Sequence, residues 1–267
     1  MSETLIATRR QNVGHRLLRY GWRIPLLLLH LLLGLPPVLL LINPLSARIV
    51  LRGERLDHRV VRYWQGGLLW IFGLRIRRYG TPLPGAVLFV ANHVSWMDIS
   101  LLHSQRAVGF VAKAEISRWP FVGWLASRGG TIYHHRGDNA SLHGVMHQML
   151  QRLQQGDAIG VFPEGRTTDG QAIGVFHARI FQPAVLAEVP AQPVALKYGA
   201  RGCDQTVVAF ARRESFFGNF MRLLGDPPRA AEVHFLEPIR ASEDGRRRMA
   251  ETCRERILRA MQGDAAA

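Results

Sequence analysis

The sequence predicts an α/β protein, with a mixed, mostly parallel sheet flanked by helices and an N-terminal membrane-associated helical segment. Three observations predict this class. A leucine-rich stretch lies near the N-terminus, short apolar runs alternate with helical patterns after it, and polar motifs directly follow two of those runs. Alternating strands and helices are typical of α/β domains. We expect three regions: an N-terminal membrane-anchoring region at 1–78, a central domain at 79–245, and a basic C-terminal helix and tail at 246–267.

The leucine-rich stretch at 24–42 is long and apolar enough to cross a bilayer. Its length, and the Asn43-Pro44 that follows it, do not fit a cleaved signal peptide. Arginines flank both of its ends, so the tendency of basic residues to stay in the cytoplasm fixes no orientation. Because Pro36-Pro37 would break a straight helix, two arrangements stay open: a tilted single span, and a hairpin that enters one leaflet with both ends in the cytoplasm. A buried core helix is disfavoured, since a segment that is apolar on all faces needs a very large core or lipid.

The composition is basic and arginine-rich. The 267 residues include 34 basic and 20 acidic side chains, with a net charge of +14, and Lys113 and Lys197 are the only lysines. Arginine suits phosphate recognition, so we expect an anionic partner. Charge alone does not separate nucleic acid from a phospholipid surface, but the leucine-rich stretch favours lipid, and we expect no nucleic-acid partner. Two cysteines, Cys203 and Cys253, give no disulfide framework and indicate a reducing compartment.

After the leucine-rich stretch, residues 45–74 predict a basic helix that ends in an aromatic patch. The clearest later helix is 140–155, which has one apolar face and stops at Gly156. A last helix is predicted to open at Arg246-Arg247-Arg248, whose charge suits either a solvated face or anionic lipid. The runs that predict strands are 86–91, 107–112, 130–135, 158–162, 193–198, 206–211 and 232–236.

The motif His93-Val94-Ser95-Trp96-Met97-Asp98 follows the first of these runs. Ser95 and Asp98 alone would fit a capping box at the start of a helix. His93 would then lie just before that helix, and a turn between His93 and Asp98 would let their side chains meet, which a regular helix would not. An imidazole oriented by a carboxylate can remove a proton from an alcohol near neutral pH. We therefore predict that His93 and Asp98 are a catalytic pair, at the strand end where α/β sites are built.

A second motif, Phe162-Pro163-Glu164-Gly165-Arg166, follows the run at 158–162. Its proline and glycine predict a tight turn, and Gly165 would let a substrate approach the backbone. Glu164 and Arg166 could bind polar headgroup atoms, with Arg166 suited to a phosphate. An ordinary surface turn with a salt bridge would use the same residue types, so this motif alone leaves both interpretations open.

Several classes of enzyme lack their motifs in this sequence. There is no Gly-x-Ser-x-Gly elbow, no glycine-rich phosphate loop or dinucleotide fingerprint, and no His-Glu-x-x-His zinc motif. His143 and His147 have the spacing of metal ligands, but the pattern offers them no cysteine or carboxylate partner. We expect no metal site and no cofactor.

These motifs resemble the glycerolipid acyltransferase family, of the lysophosphatidic-acid (1-acylglycerol-3-phosphate) acyltransferase type. The family has a His-x4-Asp block and a downstream Phe-Pro-Glu-Gly block. Residues 130–136 are similar to its intermediate, arginine-bearing block, and residues 189–194 to its fourth, proline-containing block. The four blocks occur in the family order.

The resemblance implies that His93 is a general base and that Asp98 orients it. It implies transfer of a fatty acyl group from a thioester, either acyl-CoA or acyl-carrier protein, to the hydroxyl of a lysolipid. The expected acceptor is 1-acyl-sn-glycerol-3-phosphate, and the expected location is the cytoplasmic face of a membrane, the inner membrane in a bacterium. The residues implied to bind the acceptor are Lys113, Arg136, Glu164, Gly165 and Arg166.

One departure from the family pattern bears on the acceptor. The common family form is Phe-Pro-Glu-Gly-Thr-Arg, whereas here Arg166 directly follows Gly165, and the His134-His135 pair is also unusual. The sequence around His93 and at 110–115 is similar to that of the lyso-ornithine-lipid acyltransferase subgroup, so lyso-ornithine lipid is an alternative acceptor. A phospholipid transacylase or hydrolase with the same His/Asp pair is a more distant alternative. The weakest is a non-enzymatic basic protein that binds nucleic acid or lipid.

Overall fold

The computed structural model describes residues 2–43, 45–119, 122–135, 139–240 and 245–263. The helices are α1 (Ser2–Leu29), α2 (Leu35–Leu41), α3 (Leu56–Ile71), α4 (Met97–Gln105), α5 (Val122–Arg128), α6 (Asn139–Gln154), α7 (Gln182–Leu186), α8 (Gln205–Val208), α9 (Phe216–Gly225) and α10 (Gly245–Gln262). The strands are β1 (Val50–Leu51), β2 (Glu54–Arg55), β3 (Leu74–Tyr79), β4 (Val87–Ala91), β5 (Gly109–Lys113), β6 (Ile132–His134), β7 (Ala158–Val161), β8 (Ala191–Tyr198) and β9 (Arg229–Phe235). Short 3-10 turns cover Ser46–Arg48, Ala114–Arg118, Ala178–Phe181 and Ala200–Gly202.

Seven strands form one sheet in the order β3-β9-β8-β4-β7-β5-β6. Among the described strands of this sheet, β8 and β9 pair antiparallel and the other neighbours pair parallel. Every residue of β4, β7 and β8 is buried, as expected for central strands covered on both faces. The predicted fold class, a mixed and mostly parallel sheet flanked by helices, is confirmed.

Two apolar layers enclose the sheet because alternate side chains of each strand point to opposite faces. In β4, Phe89 belongs to the layer formed with α3, α4 and α9, whereas Leu88 and Val90 belong to the layer formed with α6, α7 and α10. Burying each of these large side chains contributes roughly 1.5–3 kcal/mol. Central strands fixed on both faces hold the loops at their ends in defined positions, and the candidate site is built from those loops.

The N-terminal backbone stays helical through α1 and α2. A π-helical turn at His30–Gly34 lies immediately before Pro36-Pro37, where the proline rings and missing N–H groups cannot continue a regular α-helical ladder. The predicted break is therefore a local bulge rather than an interruption. Within the described residues, one helical stretch, Val13–Leu41, has the length and composition to cross a membrane.

The predicted helix at 45–74 is shorter than expected. It is confined to α3, and it is preceded by the β1–β2 hairpin and followed by β3. Gly53 and Gly73 adopt positive φ values of 78° and 81°, which turn the chain at the hairpin and at the end of α3. Strand β3 pairs with β9 at the sheet edge; its arginine-rich outer face concealed it in the sequence.

The predicted strand at 206–211 is wrong. The chain there forms the short helix α8 and then an irregular segment. The side chain of Gln205 bonds the backbone of Leu196 and Tyr198, so this segment crosses the end of β8 instead of pairing in the sheet. By contrast, α6 and α10 begin within one residue of their predicted starts, and Gly156, with φ of 91°, ends α6 as expected.

Candidate active site

The two sequence motifs meet at one edge of the sheet. The first follows β4 and the second follows β7, and these strands are parallel neighbours with Val90 opposite Val161. Parallel neighbours end at the same edge, so the loops after them lie side by side. This edge is where ligands bind in open α/β sheets.

The side chains of His93 and Asp98 are in contact. His93 Nδ1 lies 2.8 Å from Asp98 Oδ2, and the Asp98 side chain is fully buried in the first turn of α4. The backbone N–H groups of Val94 and Ser95 donate to the same oxygen at 2.7 Å and 2.8 Å. The turn between strand and helix thus brings the imidazole and the carboxylate together, as the sequence predicted.

The capping box suggested by the sequence is half formed. Asp98 reaches back to the N–H of Ser95, as a capping box requires. The Ser95 hydroxyl, however, accepts from the N–H of Met97 at 3.4 Å, and Trp96 occupies the N-cap position, where its side chain makes no capping bond to the helix. The carboxylate of Asp98 therefore stabilises the turn and contacts the imidazole at the same time.

Tyr198, at the end of β8, completes the surroundings of Asp98. Its hydroxyl donates to Asp98 Oδ1 at 2.6 Å in a fully buried site. Burial, and then the negative charge of Asp98, raise the pKa of Tyr198 well above its ordinary value, so the phenol stays a donor. The sequence analysis missed this residue. The available signal was its place at the end of an apolar run that becomes a neighbour of β4.

The imidazole of His93 is held from two sides. Its ring stacks on Phe162, with centroids 3.9 Å apart, and its side chain is 15% exposed. Asp98 engages Nδ1, and within the described part of the chain no group bonds Nε2. Nε2 is therefore the nitrogen left to meet a substrate.

Glu164 bonds the protein backbone with both carboxylate oxygens. Oε1 accepts from the N–H of His93 at 3.0 Å, and Oε2 accepts from the N–H of Gly174 at 2.8 Å. Burial raises the pKa of Glu164, while these two bonds and the nearby His93 oppose the rise. The N–H of Thr168 donates to the His93 carbonyl at 2.8 Å, so Glu164 and Thr168 together hold the His93 backbone at both of its polar groups.

The other predicted residues lie around this centre, with one exception. Gly165 is exposed and has a φ of 71°, Arg166 is exposed beside it, and Lys113 is exposed at the end of β5. Arg136 lies outside the described residues. A cavity of about 260 Å³ opens beyond Lys113, lined by Ala114, Glu115, Ser117, Arg118, Tyr133 and His135.

Comparisons with known proteins identify the family. The sequence model of the Acyltransferase family matches residues 75–197, which include both motifs. The chain is 33% identical over 211 residues to a lyso-ornithine lipid O-acyltransferase from Pseudomonas aeruginosa, an alignment that covers 79% of this chain and 81% of that protein. The chain belongs to the acyltransferase family. The resemblance drawn from the motifs is confirmed, and this acyltransferase is an enzyme.

One further relative agrees with this assignment, and a solved structure has the same fold. The acyltransferase is 35% identical over 143 residues to a 1-acyl-sn-glycerol-3-phosphate acyltransferase from Neisseria gonorrhoeae, an alignment that covers 53% of this chain and 56% of that protein. Its fold matches that of the 1-acyl-sn-glycerophosphate acyltransferase PlsC from Thermotoga maritima with a TM-score of 0.68, over 97% of this chain and 98% of that one. At 18% identity, this second likeness shows the fold alone.

Proposed function

We propose that this acyltransferase moves a fatty acyl group from an acyl thioester to the hydroxyl of a lysolipid, with His93 as the general base. The donor is acyl-CoA or acyl-carrier protein. One observation carries the proposal: the imidazole of His93 is fixed by a buried carboxylate at a sheet edge where its other nitrogen can meet a hydroxyl.

In this mechanism, His93 Nε2 accepts the hydroxyl proton as the oxygen attacks the thioester carbonyl. The tetrahedral intermediate then collapses, the C–S bond breaks, and the imidazolium returns the proton to the leaving thiolate. The products are an ester and a free thiol. Asp98 holds the imidazole in the tautomer that leaves Nε2 unprotonated and stabilises the imidazolium that forms. A thioester is already activated, so no covalent acyl-enzyme is required.

In the same proposal, Glu164 acts on His93 and not directly on the acceptor. Both of its oxygens already accept backbone hydrogen bonds, and its side chain is buried. Acceptor binding then falls to the exposed residues nearby, with Arg166 and Lys113 supplying positive charge and Gly165 an approachable backbone. Arginine suits either a phosphate or a carboxylate of the headgroup.

Two acceptors are proposed. Lyso-ornithine lipid is the first to test, because the relative named for it aligns over 81% of its length. The alternative is 1-acyl-sn-glycerol-3-phosphate, which the Neisseria relative is named for and whose phosphate suits the positive charge of Arg166 and Lys113. Both carry an anionic group near the hydroxyl that is acylated.

We propose that the enzyme works at the cytoplasmic face of a membrane, anchored by the stretch Val13–Leu41. Leu18, Leu32 and Leu40 on this stretch are each 70% or more exposed, a property that suits contact with lipid. The same stretch also packs along the protein, since the His30 ring stacks on Trp64 of α3 with centroids 5.4 Å apart. This contact with α3 holds the stretch against the domain, which favours insertion into one leaflet over a separate span.

The test compares His93→Ala with His143→Ala, a matched change at an exposed imidazole on α6. Each purified variant is offered a labelled thioester with lysophosphatidate or lyso-ornithine lipid. We expect His93→Ala to fold and bind vesicles but to give no acylated product, while His143→Ala retains full turnover. Near-normal turnover by His93→Ala would contradict the proposed base. Release of free fatty acid without an acceptor would favour a hydrolase, and product identity decides between the acceptors.

A further inference from the structure

Four side chains of α1 donate hydrogen bonds to the C-terminal end of α9. The last carbonyls of a helix have no partner within the helix and carry partial negative charge, so donors from elsewhere stabilise them. We call this set, Arg16, Arg19, Tyr20 and Arg23, the α1 clamp. Its bonds run from Arg16 to the Arg222 carbonyl (3.3 Å), Arg19 to Gly225 (3.1 Å), Tyr20 to Met221 (2.8 Å), and Arg23 to Leu224 (2.8 Å) and Asp226 (2.7 Å).

The α1 clamp is tightly packed. Arg23 is fully buried, which is unusual for an arginine outside a specific site. A Cβ on Gly225 would lie 2.7 Å from Arg16 Nε and from the Tyr20 hydroxyl, and a Cβ on Gly73 would overlap Arg23 Nη2. The two glycines thus leave the space in which the guanidinium groups lie. These contacts fix where α9 ends relative to α1.

The body of α9 contacts the catalytic turn through Asn219. This side chain is fully buried, and its Oδ1 accepts from the indole N–H of Trp96 at 3.1 Å. Its Nδ2 donates to Glu214 at 3.0 Å, so the amide cannot rotate without losing a bond. The Trp96 ring also stacks on Phe220, with centroids 5.6 Å apart, and meets the edge of Phe72 at 5.2 Å.

Trp96 belongs to the turn that joins His93 to Asp98. The two residues before it, Val94 and Ser95, supply the N–H groups that hold Asp98 Oδ2. A displacement of the Trp96 ring would therefore move the backbone donors that fix the carboxylate, and with it the imidazole. A continuous series of contacts links the N-terminal helix to the catalytic pair.

We propose that Arg23 and Asn219 are positioning residues for acyl transfer. Arg23 fixes the C-terminal end of α9, and Asn219, on α9, holds the indole of Trp96. The N-terminal helix is therefore part of the catalytic unit as well as a candidate anchor. The proposal rests on the proposed role of His93. A misplacement of about 1 Å at a reacting group can cost about 100-fold in rate, so small shifts of α9 matter.

The test uses Arg23→Gln, Asn219→Ala and Gly225→Ala, the last of which adds a methyl group to the α1 clamp without removing a bonding side chain. Arg78→Gln is the matched control, because Arg78 lies on the edge strand β3 and is exposed. Steady-state kinetics are measured in detergent micelles, where membrane attachment does not limit the reaction. We expect kcat to fall about 10-fold or more in the three variants, with the KM of the acceptor within about twofold, and no change in the control.

A double variant tests whether the two residues act through one helix. If both act through α9, the loss in Arg23→Gln/Asn219→Ala is close to the larger single loss, whereas independent effects multiply. Folding is checked by cooperative thermal unfolding, and Arg19→Gln, which removes a single bond at the surface of the α1 clamp, replaces any variant that does not fold. Full kcat in folded variants, losses that multiply, or effects on KM alone would overturn the proposal. If His93→Ala is inactive and these variants are fully active, only the positioning proposal fails; activity in His93→Ala means that the proposed base is wrong.

Discussion

Tyr198 and Asp98 are 100 residues apart in the chain and share a hydrogen bond of 2.6 Å. The bond uses Asp98 Oδ1, whereas Oδ2 accepts from the imidazole of His93 and from two backbone N–H groups. Each oxygen of this buried carboxylate therefore has its own set of donors. A carboxylate fixed at both oxygens cannot rotate away from the imidazole, and the proposed role of His93 as a base requires this, because the base must keep one tautomer.

Tyr198→Phe is expected to lower kcat about 10-fold. The change removes the donor to Asp98 Oδ1 and leaves a buried oxygen without its bond, at a cost of about 1–3 kcal/mol. Tyr79→Phe is the matched control, because Tyr79 stacks on His234 at the exposed sheet edge and is 44% exposed. Steady-state kinetics and thermal unfolding are measured for both. A Tyr198→Phe enzyme with unchanged kcat would show that Oδ1 has no part in holding the pair.

Glu164→Gln is expected to lower both turnover and stability. Both oxygens of Glu164 accept backbone N–H bonds, so an amide puts an NH2 group where one acceptor was and places two donors face to face. The loss is about 1–3 kcal/mol of unfolding free energy and about 10-fold in kcat. The control is Glu237→Gln, whose side chain is 83% exposed. If Glu164→Gln changes the acceptor KM alone, the residue contacts the acceptor and the positioning role is wrong.

The central sheet could be predicted because its strands are apolar and short. Strands β4 and β7 lie where uninterrupted apolar runs predicted them. Both faces of these strands are covered by helices, so every residue in them is buried and apolar residues are favoured throughout. The same reasoning failed at 206–211, because a short apolar run is equally compatible with a helix that packs against a strand end. The sequence analysis also missed strand β3, because only one side of an edge strand must be apolar.

The contact between His93 and Asp98 could be predicted because the two residues are close in sequence and one turn joins them. The contacts of Tyr198 with Asp98 and of Asn219 with Trp96 could not be predicted. Their contacts depend on which strand and helix become neighbours of β4 and α4, and sequence periodicity does not contain this information. Likewise, the motif identified Glu164 but not its partners, because residue type does not show whether a carboxylate faces the backbone or the solvent.

Arg166→Gln tests whether Arg166, which lies one position earlier than the arginine of the common family motif, binds the acceptor. Arg166 is exposed next to Gly165, and within the described part of the chain its guanidinium makes no hydrogen bond or ion pair. A bond from it to a phosphate or carboxylate is worth about 1.5–3 kcal/mol, so kcat/KM for the acceptor should fall about 10- to 100-fold while the donor KM stays constant. Arg247→Gln, at an exposed arginine of α10, is the control. If Arg166→Gln and the unchanged enzyme have the same kcat/KM for both lysophosphatidate and lyso-ornithine lipid, Arg166 does not bind the acceptor.

The stability of the enzyme is expected to fall in mild acid because of His103, on the helix that carries Asp98. Its Nδ1 is buried without a partner among the described residues, and its ring meets the edge of Phe110 at 5.0 Å. Burial, and then the nearby His58, lower the pKa of His103 to about 4 from an ordinary value of 6.5. The unfolded chain therefore takes up the proton first. The contribution to stability is complete above pH 6.5 and is lost as the pH falls from 6.5 towards 4.

For these two pKa values the loss between pH 7 and pH 5 is about 2 kcal/mol of unfolding free energy. His103→Leu removes the titrating group. Between pH 7 and pH 5, the unfolding free energy of this variant should therefore fall by about 2 kcal/mol less than that of the unchanged enzyme. Urea unfolding at pH 7 and pH 5 measures the difference. His147→Leu, at an exposed histidine of α6, serves as the control and should keep the pH dependence of the unchanged enzyme. If the unfolding free energy of His103→Leu has the same pH dependence as that of the unchanged enzyme, protonation of His103 does not weaken the fold in acid. The burial of this imidazole would then leave its pKa near the ordinary value.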